Sequence, residues 1–262
     1  MKEIKDIEVV HHYLLDIAEA VNKVLSAHNI PLIMGYGTML GSIRHKGFIP
    51  WDDDMDFYVP FEGYSEMVKI LQEELPAPYE VVMYTTHNSC KAVFAKVHDK
   101  RTCLNTKSNY NQLENNLGIN IDLFPIKLVD KSDPSIRRYF RCRKIHQVIY
   151  TRDIYGRWYI ELVKTFLRSF WPISDRRYKE MFWSYASTFK PGDSMMSVFD
   201  DPKCKPIMPK SFFDSYTTYK FDRLSLSGPT DYDAYLKHLY GDYMRLPPEE
   251  KRHWHADGVY ER

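Results

Sequence analysis

The chain has 262 residues, of which 44% are hydrophobic and 27% charged. This composition is typical of a folded globular protein and excludes intrinsic disorder as the overall class. The net charge of +1 argues against a general nucleic-acid binder, since affinity for a phosphate backbone requires a strong basic surplus, and we expect no nucleic-acid partner.

The first predicted element is an amphipathic helix from Ile4 to about Ala27, because apolar residues recur there at the helical spacing of three or four. A short apolar run follows and ends in Gly35-Tyr36-Gly37. Thr38 is predicted to cap a second short helix, TMLGSIRHK. An acidic run and the strand-like DMDFYV come next, and then the predicted helix EGYSEMVKILQEEL.

Three β-rich stretches follow, YEVVMYT, KAVFAKVHD and LGINIDLFPI, before the composition changes at about Asp130. Beyond it the chain is basic, aromatic and helical in pattern, and a last predicted helix ends at Gly241. These patterns predict an α/β or α+β fold. We expect a catalytic core in residues 1–130, built as a mixed β-sheet flanked by helices. Residues 131–262 are expected to form a mostly helical, basic and aromatic-rich region that completes the donor and acceptor site.

The start of the chain, MKEIKDIEVV, has no apolar segment of the kind that secretory signals contain. No stretch reaches the roughly 20 apolar residues that span a bilayer. The four cysteines are too far apart in the sequence for a short zinc or redox pair. We therefore expect a cytoplasmic protein with reduced thiols.

Asp54 and Asp56 are the most informative residues, because they lie two positions apart in a strand-like run. Side chains alternate between the faces of a strand, so both carboxylates are expected to point the same way. Two carboxylates so placed suit one hard cation such as Mg²⁺, whose shell substrate phosphates complete. The alternative is a solvated acidic turn or a helix N-terminus.

Two further segments accompany the acidic run. Residues 35–38 lie at a predicted strand-to-helix junction, where backbone N–H groups and the helix dipole favour phosphate. Asp122 lies between Ile121 and Leu123 and is expected to project to the opposite face. The alternatives are an ordinary glycine turn and a buried salt bridge. The order of glycine turn, paired acids and a later acid on a strand is similar to that of polymerase β-like nucleotidyltransferases.

The run GYGTMLGSIRHKGFIPWDDDMDFYV closely resembles the core motif of the LicD family of phosphotransferases, which is related to the fukutin group. The resemblance extends to KVHDKRT, to GINIDLFPI and to YLKHLYGDYMRLPPEEKRHWH near the C-terminus. It is highly specific over residues 35–59 and weaker over residues 131–210.

The resemblance implies a nucleotidyltransferase-like fold and an enzyme dependent on Mg²⁺ or Mn²⁺. Such an enzyme transfers a phosphorylated alcohol, typically phosphocholine from CDP-choline, to a hydroxyl of a cell-surface glycan or its lipid-linked precursor, such as lipopolysaccharide, teichoic acid or capsule. Asp54 and Asp56 would be the paired metal ligands. Asp122 would be a third ligand or would accept the proton of the attacking hydroxyl. Gly37 and Thr38 would hold the phosphates of the CDP-activated donor.

Two cations and several aromatic residues are further candidates for the donor site. Arg44 lies in the short helix after the glycine turn, and Lys96 lies near a strand end, so both are predicted to reach a donor phosphate. The alternative for each is an ordinary surface cation. A choline head group would require an aromatic cage, with candidates in Trp51, Tyr36, Tyr58 and the Tyr-rich C-terminal segment.

Residues 136–180 contain 12 Lys/Arg against 4 Asp/Glu. This surplus has two interpretations. It forms either an ordinary solvated helix face or, together with Phe166, Phe170 and Trp171, a peripheral contact with the anionic inner face of the cell membrane. The second arrangement would bring the enzyme to a lipid-linked acceptor.

Two other functions are compatible with the same core. A nucleotidyltransferase that gives NMP to a protein, an RNA or a sugar phosphate would share the glycine turn and all three acids. A catalytically inert homologue is disfavoured, because clustered like charges are costly without a bound ion.

Overall fold

The computed structural model describes residues 1–87, 90, 92–105, 117–150, 158–170, 172–200, 204–254, 256 and 258–262. Over these ranges the chain forms helices α1 (Ile7–Ala27), α2 (Tyr36–Arg44), α3 (Tyr64–Glu74), α4 (Pro134–Tyr150), α5 (Trp158–Phe170), α6 (Asp175–Ser187) and α7 (Tyr232–Tyr240). It also forms strands β1 (Lys2–Ile4), β2 (Ile33–Met34), β3 (Asp56–Pro60), β4 (Tyr79–Val82), β5 (Ala95–Asp99), β6 (Thr102–Asn105), β7 (Asn120–Val129), β8 (Ser194–Ser197), β9 (Ile207–Pro209), β10 (Tyr216–Phe221), β11 (Leu224–Pro229) and β12 (Gly258–Glu261).

The first helix is three residues shorter than the sequence pattern predicts. The Asp6 carboxylate accepts a hydrogen bond from the Glu8 amide and so caps α1, which begins at Ile7. The residues before the cap form β1, which pairs with β12. The periodic apolar residues of α1 are buried, as the spacing predicts.

The predicted mixed sheet is confirmed. Its main path runs β10-β11-β2-β3-β7-β5-β4. β3 and β7 are parallel neighbours, whereas β2 is antiparallel to β3, and β5 is antiparallel to β7. This order brings the acidic segment, the Asp122 strand and the Lys96 strand side by side at the middle of the sheet.

The C-terminal half contains more helix than strand, but it also contributes strands that the sequence analysis does not foresee. β8 pairs with the end of β7, and β11 pairs with β2, so β8–β11 extend the main sheet. β12 joins β1 and β6 in a separate three-stranded sheet. The composition change at residue 130 therefore does not coincide with a boundary of the sheet.

The helices after residue 130 form a second packed layer. α4 and α6 pack together around a core that includes Tyr139, Tyr178 and Phe182. α5 packs on α4 but contributes no buried residue to either core. Within the described ranges, no helix combines the length and the apolar character needed to cross a bilayer.

Candidate active site

The acidic segment enters the sheet at Asp56, the first residue of β3. The prediction that Asp54 also lies within the strand is wrong, because ladder pairing with β7 begins at Asp56. Met55 and Phe57 are wholly buried, whereas Asp54 and Asp56 are half-buried. This alternation places the Asp56 carboxylate on the face opposite Met55 and Phe57. Asp54 precedes the strand, but its charge acts on Asp56, so the two carboxylates lie near each other.

Asp122 lies directly beside Asp56, since the two residues are register partners on parallel strands. Ile121 and Leu123 are fully buried while Asp122 is half-buried, which confirms that Asp122 projects to the opposite face. On the other side of β7, Lys96 is the register partner of Asp122. The Lys96 ammonium donates to the Asp122 carboxylate and, at 3.3 Å, to Asn120 Oδ1.

The electrostatic environment of Asp56 is dominated by negative charge. Burial raises the pKa of Asp56 well above its usual range, and the charges of Asp54, Asp122 and Asp52 raise it further. The Lys96 ammonium acts in the opposite direction but does not cancel these effects. The ionised form of Asp56 is therefore unfavourable in the protein alone, and a cation placed here would stabilise it.

Asp52, Asp54, Asp56 and Asp122 form an acidic cluster. Their side chains offer only carboxylate oxygens, which are suitable ligands for a hard divalent cation. However, no three acidic, histidine or cysteine side chains among the described residues converge into a ready-made metal site. The Asp122 carboxylate is turned to Lys96. Metal ligation by Asp54, Asp56 and Asp122 therefore stays a prediction.

The glycine turn and α2 are joined to the first residue of β3. The Gly35 amide donates to the Asp56 carbonyl at 2.9 Å, and the Thr38 hydroxyl accepts from the Asp56 amide at 2.8 Å. The prediction that Thr38 caps α2 is wrong: Gly35 is the N-cap residue, and the Thr38 hydroxyl is used to hold Asp56. The amides in the first turn of α2 have no carbonyl partner within the helix, and the Tyr36 amide donates to the Tyr235 hydroxyl instead.

Gly37 and the loop that carries Asp52 are in close contact. A Cβ atom at Gly37 would lie 2.7 Å from Asp52 Oδ2, so a side chain there would displace that carboxylate. His11 of α1 contacts the backbone of the same loop, with its Nε2 2.8 Å from the Asp52 carbonyl oxygen. The His11 ring is stacked on Phe48 at 3.9 Å between centroids, which fixes its orientation.

Arg44 lies at the end of α2, near the site but engaged with other groups. Its Nε donates to His45 Nε2, and its guanidinium donates to the Tyr243 carbonyl at 2.9 Å. Asp52 and the Tyr240 hydroxyl are close enough to influence its pKa, which burial lowers. The structure thus places Arg44 beside the acidic loop, and its contact with a donor phosphate stays a prediction.

The aromatic residues predicted to form a choline cage differ in how accessible their rings are. Tyr58 is wholly buried and accepts a hydrogen bond from the Tyr235 hydroxyl, so it is a core residue. Trp51 is covered by the guanidinium of Arg252, 5.1 Å from the ring centroid. Tyr36 remains half-buried beside Phe124, with ring centroids 5.7 Å apart.

The sequence analysis missed two of the aromatic residues that surround this point. Phe94 and Phe124 are half-buried, with ring centroids 4.4 Å apart, and the Lys96 ammonium lies 5.6 Å from the Phe94 centroid. Phe124 lies two residues after Asp122 on β7 and so shares its face. Tyr36, Phe94 and Phe124 form an aromatic group beside the acidic cluster. The signal in the sequence was the spacing of two residues between Asp122 and Phe124 in GINIDLFPI, which puts both side chains on one face of a strand.

Comparison with known proteins agrees with this arrangement. Residues 29–130 match the family model described as LicD/FKTN/FKRP, nucleotidyltransferase domain. Over 255 residues the chain is 28% identical to the lipopolysaccharide cholinephosphotransferase LicD of Haemophilus influenzae, with 92% of each chain covered. Residues 29–130 form a LicD-family domain. By its similarity to this relative and to the domain model, the chain is a transferase of phosphate-containing groups.

Two further relatives of the chain are uncharacterised proteins. The one from Rickettsia prowazekii is 32% identical over 78 residues, which are 30% of this chain and 29% of that protein. The one from Rickettsia typhi is 27% identical over 120 residues, which are 44% of this chain and 38% of that protein. These two proteins are similar to only part of this chain, whereas the Haemophilus protein is similar over nearly all of it.

The LicD domain match ends at residue 130, but residues far beyond it complete the site. The Tyr235 hydroxyl accepts from the Tyr36 amide at 2.9 Å, and the Ala256 amide donates to Asp53 Oδ2 at 2.9 Å. The Tyr240 hydroxyl also faces the cluster: burial of this hydroxyl raises its pKa, and the charges of Asp56, Asp52 and Asp54 add to the effect. The sequence analysis identified the segment YLKHLYGDYMRLPPEEKRHWH by its resemblance to the LicD family, but it did not predict which residues this segment contacts.

Proposed function

We propose that this chain transfers phosphocholine from CDP-choline, or a similar phosphorylated alcohol from a CDP-linked donor, to a hydroxyl of lipopolysaccharide or a related glycan such as a teichoic acid or capsule precursor. One observation supports this most. Asp56 and Asp122 are register partners on adjacent strands beside the N-terminus of α2, in a chain aligned over 92% of its length with a lipopolysaccharide cholinephosphotransferase.

Asp54 and Asp56 are the side chains that would hold Mg²⁺ or Mn²⁺. When bound, the ion would neutralise charge on the donor pyrophosphate and thereby stabilise the transition state. The support for this assignment is the excess of negative charge around Asp56. In the protein alone that excess is unfavourable, and a divalent cation of oxygen-preferring chemistry compensates it.

The remaining residues bind the donor and move one proton. The amides of Gly37 and Thr38 at the N-terminus of α2 face the donor phosphates, since a helix N-terminus favours anions. Arg44 adds positive charge beside them. The acceptor hydroxyl oxygen forms a bond to the phosphorus of the phosphocholine group as the bond from that phosphorus to CMP breaks. The hydroxyl proton passes to Asp122, whose position Lys96 fixes.

The aromatic group Tyr36, Phe94 and Phe124 accounts for selection of the donor head group. A trimethylammonium ion is attracted to the faces of aromatic rings. The three rings are half-buried, so a head group can reach them from the same side as Asp122. The Lys96 ammonium already lies 5.6 Å from the Phe94 centroid, with its charge paired to Asp122.

A nucleotidyltransferase reaction is the second candidate, because the matching family model is described as a nucleotidyltransferase domain. The two reactions release different products. We expect purified protein with Mg²⁺ and CDP-choline to release CMP and to label a lipopolysaccharide acceptor with phosphocholine. Release of pyrophosphate from CTP or ATP, with nucleotide attached to an acceptor and no CMP from CDP-choline, would contradict the proposal and favour the second candidate.

A further inference from the structure

α5 is an amphipathic helix whose apolar side faces solvent and whose charged side faces the protein. Its large apolar side chains are exposed to solvent: Trp158, Tyr159, Leu162, Val163, Phe166, Leu167 and Phe170. Trp158 is 72% exposed, Phe166 65% and Phe170 76%. A surface helix of a globular protein normally turns such a stripe towards the core. An exposed apolar patch of this kind marks a site of interaction.

The charged side chains of α5 face the protein instead. Glu161, Lys164 and Arg168 share one side of the helix at spacings of three and four residues, and all three are less exposed than the apolar side chains. Glu161 pairs with Lys164 at 3.9 Å and with Arg168 at 3.5 Å. Arg168 Nε also donates to the Ile149 carbonyl in the last turn of α4, at 2.8 Å. The two Glu161 pairs lie within α5, and the Arg168 contact with α4 holds the charged side of the helix against the protein.

The neighbouring α4 presents a basic face to solvent. It contains five Lys/Arg residues and no Asp or Glu. Four of the cations are exposed: Arg137, Arg138, Arg141 and Lys144. Ile145 and Val148 are exposed on the same helix, within about one turn of the Ile149 contact with α5. An apolar face and a face of uniform positive charge thus adjoin each other.

We propose that α5 and the solvent face of α4 together dock on an anionic lipid bilayer. The apolar face of α5 would enter the boundary between head groups and acyl chains, and the α4 cations would contact anionic head groups. A second copy of the chain is a poorer occupant, because it would bring two uniformly basic α4 faces together. The inference rests on α4 and α5 alone and goes beyond the proposed chemistry. Of the predicted membrane contact, residues 151–157 and Trp171 lie outside the described residues.

The test is co-sedimentation of the full-length chain with phosphatidylcholine vesicles that either contain or lack phosphatidylserine. We expect binding to the anionic vesicles at low salt and much weaker binding at high salt. The double variant Leu162→Ser/Phe166→Ser should lower the partition coefficient by about tenfold or more. The triple variant Arg137→Gln/Arg138→Gln/Arg141→Gln should lower it by a similar factor and remove most of the salt dependence.

Matched controls come from exposed residues elsewhere. Tyr216, on the edge strand β10, is 41% exposed, and Tyr216→Ser should bind vesicles as the wild type does. A triple variant of the exposed lysines Lys2, Lys23 and Lys100 to Gln removes the same charge from other surfaces and should retain binding. Because α5 contributes no buried residue, the Leu162/Phe166 variant should unfold at the wild-type temperature.

Three results would overturn the proposal. The first is failure of the wild type to bind phosphatidylserine vesicles at low salt. The second is binding that the Leu162/Phe166 variant retains. The third is a wild-type dimer that this variant dissociates, without vesicle binding, which would assign the face to contacts between copies. None of these measurements uses enzymatic activity, so a failed phosphotransferase assay would leave the inference intact.

Discussion

At the scale of the residue, Asp56 combines a functional position with an unfavourable environment. It is half-buried, its neighbours include three other carboxylates, and its backbone is fixed by Gly35 and Thr38. Electrostatic repulsion between buried carboxylates is tolerated where a bound ligand relieves it, and it is a common property of active sites. The charge at position 56 should therefore oppose stability and support activity.

Replacement of Asp56 by Asn separates these two effects. In metal-free buffer we expect Asp56→Asn to raise the free energy of unfolding by about 1 kcal/mol, which raises Tm by roughly 2–4 °C. With CDP-choline and Mg²⁺ it should lower kcat by about a hundredfold or more. Asp214→Asn, at an exposed site, should change neither quantity. A variant that is less stable and still active would contradict the assignment of Asp56.

The aromatic group leads to a prediction about donor selection. Phe94→Leu and Phe124→Leu keep apolar volume but remove the ring faces. Each should raise KM for CDP-choline by about three- to thirtyfold. Neither should change KM for the neutral donor in which a tert-butyl group replaces the trimethylammonium. Phe140→Leu, in α4, serves as the control; equal losses with both donors would indicate a packing role instead.

Individual residues were predictable from the sequence where a local pattern fixes them. Strand alternation was sufficient to place Asp122 on the face opposite Ile121 and Leu123. The partner of Asp122 was not predictable, because Lys96 reaches it through the register of β5 against β7. The same limit applies to Thr38, whose hydroxyl bonds to an amide 18 residues away rather than to its own helix.

At the scale of the element, α4 and α6 are joined by a buried polar cluster. Asp175 accepts from His146 of α4 and from Lys179 of α6, both at 2.6 Å. Burial would raise the pKa of Asp175, but the hydrogen bonds and charges of His146 and Lys179 together outweigh it and lower the pKa below the usual value. A carboxylate with a lowered pKa stabilises the fold above its unfolded pKa and loses this effect as the pH falls.

Replacement of Asp175 by Asn should therefore have a pH-dependent cost. Near pH 7 we expect a loss of about 1–2 kcal/mol in the free energy of unfolding, a value reduced by the partial exposure of the carboxylate. The difference from the wild type should shrink towards zero as the pH falls below about 4. Urea unfolding at several pH values measures it. Glu180→Gln, in exposed pairs on the same helix, should cost under about 0.5 kcal/mol at every pH.

The elements themselves were predictable to different degrees. α1, α3 and α7 follow from periodicity and end signals, and α7 does end at Gly241 with φ of +69°. The inverted orientation of α5 was not predictable, since periodicity gives an apolar stripe but not the direction in which it points. β10 and β11 form a hairpin with a two-residue loop, a local feature that the sequence analysis missed. The pairing of β11 with β2 was not predictable, because β2 lies far away in the sequence.

At the scale of the whole molecule, the C-terminal half completes a site that the N-terminal half begins. Tyr235 of α7 lies at the centre of this connection. Its hydroxyl accepts from the Tyr36 amide at 2.9 Å and donates to the Tyr58 hydroxyl at 3.2 Å. Tyr36 has a positive φ of 39°, which is unusual for a residue other than glycine. The long-range bond from Tyr235 therefore holds the start of α2 in a conformation that its own sequence does not favour.

Removal of that hydroxyl tests whether the two halves act as one unit. Tyr235→Phe leaves the buried Tyr36 amide and the Tyr58 hydroxyl without this partner, at an expected cost of about 1–3 kcal/mol in the free energy of unfolding. Tyr219→Phe also removes a hydroxyl, one that donates to the Pro229 and Thr230 carbonyls within the C-terminal half, and should cost less. The two variants are best compared at a temperature where both remain folded. There we expect Tyr235→Phe to lower kcat for CDP-choline, because the Gly37 and Thr38 amides move with Tyr36, and Tyr219→Phe to keep the wild-type kcat. Equal kcat values in folded samples would contradict a role for α7 in positioning the donor site.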